Sequence, residues 1–172
     1  DETISRVQDN LENNGTTVLP ASRVVFDPSN GVLSIPNDLL FSGTTDGTLN
    51  VPVDDPTDYA DPSVAVSALD GWSTVNPFTI AITYQDGVSL NADSVDGSTV
   101  RVFETVMGGP VQNPGYEDCA QVPQGAACTV VRELTYGVDF IAQASGGSVA
   151  IVPLQPLAAK TSYIVALTDS LS

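Results

Sequence analysis

Residues 77–84 read PFTIAITY, with Phe78, Ile80, Ile82 and Tyr84 on one face and Thr79, Ala81 and Thr83 on the other. A period of two is that of a strand with one buried face. The pattern returns over Thr99 to Glu104, where Val100 and Val102 oppose Arg101 and Phe103, after a turn-like Leu90 to Val95 flanked by Asp86-Gly87 and Asp96-Gly97. Further strands are expected over Thr129 to Tyr136, Asp139 to Ala142, Ser148 to Pro153 and Ser162 to Thr168, with Gly146-Gly147 as a tight hairpin turn between the middle two. About six short strands at roughly 8 to 12 residue spacing predict an all-β fold, a two-sheet sandwich.

Upstream the regularity is lost. Residues 26–53 read FDPSNGVLSIPNDLLFSGTTDGTLNVPV, followed by an Asp-rich stretch and by SALDGWST at 67–74. Turn formers (Asp27-Pro28, Asn30-Gly31, Asp46-Gly47, Asp70-Gly71) alternate with apolar clusters (Val24 to Phe26, Leu39 to Phe41), so the segment is expected to be ordered without being regular. One or two short helices are expected, with two candidate segments. One covers Thr3 to Asn13, and the other Pro62 to Leu69, with Asp61 as N-cap, Pro62 in the first turn and Gly71 past the end. The expected organisation is a flexible segment over 1–20 and one domain over 21–172, in which a turn-rich lead-in (21–75) packs on the strands of 76–172.

Composition excludes several functions. In 172 residues, 21 acidic side chains against five basic ones give a net charge of −16, which repels phosphate backbones and anionic headgroups, so nucleic-acid binding is not expected. No apolar run approaches the roughly 20 residues that span a bilayer. Asp1 in place of an initiator methionine implies a leader removed upstream. With no histidine, neither a Ser-His-Asp triad nor a Cys-His pair can be assembled from this chain.

The remaining candidates for chemistry are few. Cys119 and Cys128 bracket a short loop of Pro, Gly, Gln and Ala, and a disulfide is the favoured reading, with two unpaired thiols as the alternative. Asp54, Asp55, Asp58 and Asp61 form the densest acidic cluster, where oxygen ligands on a loop could hold calcium; a solvated acidic loop is the plainer reading. Asn91, Asp93 and Asp96 lack the spacing of an EF-hand loop. Trp72 is the sole tryptophan, either a sugar-stacking platform or a side chain wedged against the sandwich. Gly43-Thr44-Thr45-Asp46-Gly47 has the outline of a nucleophile elbow with Thr for Ser but no helix pattern after it, so a turn is expected. Neighbouring carboxylates are unavoidable among 21 acids and do not by themselves indicate a glycosidase pair.

The lead-in carries a resemblance as well as a pattern. Phe26-Asp27-Pro28, Pro36 to Phe41, Asp46 to Asn50 and Leu69 to Thr74 resemble the N-terminal domain of the bacterial virulence-factor lipases, over roughly residues 20 to 172. The stretch NADSVDGSTVRVFE, answered by IVPLQPLAAKTSYIVALTDSLS, is similar to bacterial Ig-like modules, in which a Pro-Leu corner and a Thr-x-Tyr-x-Val strand close the sandwich. The resemblance implies an Ig-like, non-catalytic accessory domain of an exported lipase, either at the outer membrane or cell surface, with or without a lipid anchor, or secreted. Its implied partner is a C-terminal α/β-hydrolase domain that contacts the lipid substrate. A surface adhesion or carbohydrate-binding module with no attached enzyme is the rival from another class.

Overall fold

The computed structural model describes residues 22–84, 87–109 and 114–172. The helix expected over Thr3 to Asn13, the segment 1–20 and Asp86 lie outside the described residues. Among the described residues seven strands form two antiparallel sheets. One, in the order β1-β2-β6-β5, contains β1 (Ser22–Val24), β2 (Phe78–Tyr84), β6 (Ser148–Pro153) and β5 (Phe140–Ser145). The other, in the order β4-β3-β7, contains β4 (Ala127–Glu133), β3 (Val100–Met107) and β7 (Ser162–Leu167). The expected all-β sandwich is therefore the fold, with the six later strands where alternation places them.

The core forms where the apolar faces meet. Ile80 from β2, Phe140 and Ala142 from β5 and Val149 and Ile151 from β6 face Val100 and Val102 from β3, with Val95 and Leu134 closing the ends. Phe140, Ile151, Val100 and Val149 are fully enclosed. Each such side chain contributes about 1.5–3 kcal/mol relative to leaving it in water. Gly146 and Gly147, both at positive φ, turn β5 directly into β6 so that Ser145 pairs with Ser148. That backbone is the one a two-residue hairpin of the right twist needs, and it is free of steric cost only in glycine.

Between β6 and β7 the chain crosses from one sheet to the other through Leu154 to Thr161. The Tyr163 hydroxyl accepts a hydrogen bond from the Ala158 N–H at 2.9 Å, while its ring packs on the core. A tyrosine at the start of a strand, reaching back to the crossing loop, fixes that corner. The Thr-x-Tyr-x-Val pattern is thus a packing device.

The lead-in is bound to the edge of β2. β1 pairs with β2 through Ser22–Tyr84, Arg23–Thr83 and Val24–Ile82. Past the end of β1 the Val25 N–H donates to the Ala81 carbonyl (2.8 Å), and the Ala81 N–H donates to Ser34 Oγ (3.2 Å). An edge strand that would otherwise leave its backbone groups unpaired is covered by these contacts. The lead-in closes on itself through Leu49 N–H to the Leu69 carbonyl (2.8 Å) and Asn50 Nδ2 to the Ser42 carbonyl (2.8 Å), with Leu49 as its buried side chain.

Boundaries differ from expectation for identifiable reasons. The helix α1 spans Pro62–Ser67, with the Asp61 carboxylate accepting from the Ser63 N–H at 2.8 Å. It stops two residues early, and the Leu69 carbonyl accepts from Leu49. β3 runs on to Met107 although alternation fades at Glu104; Thr105 is buried there because its hydroxyl donates to the Ser162 carbonyl at 3.3 Å. β1 has no alternation of its own and exists because β2 offers an edge.

The corner generates the prediction. Tyr163→Phe removes the bond to Ala158 while keeping the ring, and is expected to lower stability by about 1 kcal/mol as a shift of the urea midpoint at unchanged slope. An unshifted midpoint would show that the corner is held by packing alone.

Candidate functional site

The acidic residues mostly serve their own turns. Asp27 accepts from Ser29 Oγ and Asn30 Nδ2, Asp55 from the Thr57 N–H and hydroxyl, Asp58 from the Ala60 N–H, Asp61 from the Ser63 N–H, and Asp96 from the Ser98 N–H and hydroxyl. A short carboxylate bonding two residues ahead is what places Asp at turns and caps. These bonds favour the charged form, so Asp55 is held below the usual carboxylate range first by the Thr57 hydroxyl and then by its N–H. Among the described residues no three His, Cys, Asp or Glu converge in a way that could hold a metal ion. The sequence DDPTDYAD therefore does not bring Asp54, Asp55, Asp58 and Asp61 together as a ligand set, because successive turns commit Asp55, Asp58 and Asp61 to different backbone amides.

The Gly43 to Gly47 run is the clearest of these turns. Asp46 Oδ1 accepts from the Thr44 hydroxyl (2.7 Å), the Thr48 N–H (3.0 Å) and the Thr48 hydroxyl (2.8 Å). These donors, the Thr44 hydroxyl foremost, bring the Asp46 carboxyl down to about 2 from 3.8. Thr44 is thereby a turn donor, and the superficial nucleophile elbow is a loop.

Cys119 and Cys128 are joined in a disulfide, with Cα atoms 5.6 Å apart. Cys119 is buried in a 3-10 turn (Glu117–Gln121), and Cys128 lies in β4. The loop between them folds back onto the end of β3: the Gly108 N–H donates to the Ala126 carbonyl (2.7 Å) and the Gly109 N–H to the Cys119 carbonyl (3.2 Å). A Cβ on Gly108 would lie 2.4 Å from the Pro123 carbonyl oxygen, so the approach requires glycine. Closing so short a loop contributes roughly 2.5 kcal/mol in the chain-entropy treatment.

Two concavities remain. One, of about 280 Å³, lies where β3, β4 and the turn before β5 meet, and is lined by Gly97, Arg101, Glu133, Tyr136 and Phe140 among others. Arg101 is already spent there, with Nε and Nη2 each 2.7 Å from Glu133 and its guanidinium 4.9 Å from the Phe103 ring centroid. Tyr136 meets Phe140 edge to face at 5.5 Å and leaves no room for a side chain at Gly97. This is a packed seam with an ion pair at its rim. The second, of about 360 Å³, is an open groove between the lead-in and β2, lined by Ile35, Pro36, Trp72, Ser73, Asn76, Pro77, Phe78 and Thr79. Trp72 is half-buried, and its Nε1 is enclosed with no hydrogen-bond acceptor among the described residues. Its indole is thus set into the groove wall and is not a free-standing platform. The groove could not be read from the sequence, since Ile35-Pro36 and residues 72–79 are brought together only by the lead-in's attachment to β2.

These features define the class: a disulfide-clipped, acidic β-sandwich whose edge is sealed by a turn-rich segment, with no metal-holding cluster of His, Cys, Asp or Glu among the described residues. The chain belongs to the bacterial virulence factor lipase N-terminal family, which it matches over residues 3–172. It is similar to an extracellular lipase of Aeromonas hydrophila, 32% identical over 119 residues, covering 66% of this chain and 16% of that protein. The chain thus spans a small part of its relative's length. No solved structure matches it.

The Asp46 turn yields a pH prediction. With a folded value near 2 and an unfolded value near 3.8, the stability this carboxylate contributes is present above about pH 4 and is lost as pH falls toward 2. A carbon-detected NMR titration is expected to place the Asp46 midpoint near 2. An ordinary midpoint would mean that the Thr44 and Thr48 hydrogen bonds do not form in solution.

Proposed function

We propose that this chain is the non-catalytic N-terminal accessory domain of an exported bacterial lipase, an Ig-like sandwich that positions or spaces a C-terminal α/β-hydrolase domain. The family match across residues 3–172 carries this reading, taken with the complete lack of histidine. Serine-hydrolase chemistry requires a base to take the proton of the nucleophile. On this reading a histidine-free module in a lipase family acts on the hydrolase without joining the proton transfer. The Ig-like assignment is supported by the β1-β2-β6-β5 and β4-β3-β7 strand orders and by the Tyr163 corner.

Export is supported by the disulfide, which persists in oxidising compartments, and by the similarity to an extracellular lipase of Aeromonas hydrophila. Among the described residues no helix is long and apolar enough to cross a membrane. The destination we propose is the cell surface or the medium. On this reading residues 1–20 tether the domain, residues 21–75 form its packed lead-in and residues 76–172 its strands. The lipid is contacted by the hydrolase domain.

The test compares the full-length protein, the same protein lacking residues 1–172, and the 172-residue chain alone, on a chromogenic ester and a lipid emulsion. The expected result is turnover by the full-length protein, none by the 172-residue chain, and impaired secretion, stability or lipid hydrolysis on deletion. Ester turnover by the 172-residue chain, or a deletion that leaves all three properties unchanged, would contradict the proposal.

A further inference from the structure

The groove between the lead-in and β2 is uncharged, with an apolar wall. None of its eight lining residues is charged, in a chain with 21 acidic and five basic side chains. Ile35 on its wall is 54% exposed, and Val75, within the Trp72 to Asn76 turn that borders it, is 55% exposed. Apolar surface left in water costs roughly 25 cal/mol per Å², and exposed apolar side chains beside a concavity mark interaction sites. The Trp72 N–H, enclosed without an acceptor among the described residues, is a further cost at the same place.

We propose that this groove is the docking surface for the remainder of the same polypeptide, an uncharged apolar face of the hydrolase domain. The inference rests on the lipase-accessory reading above. Three considerations select this occupant. The stretch matched in the Aeromonas lipase is 16% of that protein, so most of the relative's chain lies outside the part resembled here. The groove has eight lining residues, whereas a free-standing interface uses about 20–30 a side; a tethered partner needs far less contact, because its effective concentration is already in the millimolar range. A second copy of this chain would bring another −16 against it.

The test uses the full-length protein carrying single cysteines, Ile35→Cys or Val75→Cys at the groove, and Tyr59→Cys as a control on the same lead-in at a site 86% exposed. Native-state maleimide labelling is followed by peptide mapping, and ester hydrolysis is assayed on the same samples. The expected result is labelling at both groove sites at least about tenfold slower than at the control, independent of protein concentration, with rates equalised by denaturation. Groove thiols that label as fast as the Tyr59→Cys thiol in an ester-active protein would overturn the docking inference and leave the functional reading standing. Protection that is lost on dilution would assign the groove to a second copy and also overturn it. A full-length protein without ester hydrolysis, whatever the labelling, would instead sink the functional reading on which the inference rests. Should one groove variant fail to fold, the other carries the comparison.

Discussion

The structure depends on how the exposed edge of β2 is covered. β2 supplies Phe78, Ile80 and Ile82 to the core and pairs with β6 on one side. On the other side its backbone meets β1, Val25 and the Ser34 side chain. Unpaired strand edges recruit whatever extended chain is near, and here the recruit is the lead-in. That one attachment positions Ile35 and Pro36 against the turn from Trp72 to Pro77, and so creates the groove.

The acidic character follows from the same economy. A lead-in with so little regular structure must satisfy its backbone amides locally, and short carboxylates do this at Asp46, Asp55, Asp58 and Asp61. The charge is a by-product of turn formation and also keeps the surface repulsive to anionic partners. Two of the five basic residues, Arg101 and Arg132, pair with Glu133, Glu104 and Asp139 on the β3-β4 ladder. Being largely exposed, those pairs contribute little stability; they fix side-chain positions more than they hold the sheets together.

What was legible in the sequence follows from period and punctuation. Phe78 to Tyr84 and Ser148 to Pro153 were readable because every second side chain enters the core, and Gly146-Gly147 because only that dipeptide makes so tight a turn cheaply. β1 was not legible, since three residues without alternation become a strand only through their neighbour. The acidic cluster admitted both a ligand set and a solvated loop because composition does not show direction; Asp55, Asp58 and Asp61 each bend toward their own next turn. The groove was invisible for a related reason: residues nearly forty positions apart share a wall only after the lead-in docks.

The central claim is therefore that the lead-in is part of the sandwich and not a linker. Native-state amide hydrogen exchange tests it at Val25 and Ala81, whose N–H groups make the contacts beyond the β1-β2 ladder. The account predicts slowing of both by about a hundredfold or more relative to unstructured chain, comparable with Ile80 in the core strand. Exchange of Val25 at the unstructured rate, with Ile80 still protected, would separate the lead-in from the sandwich and contradict the account.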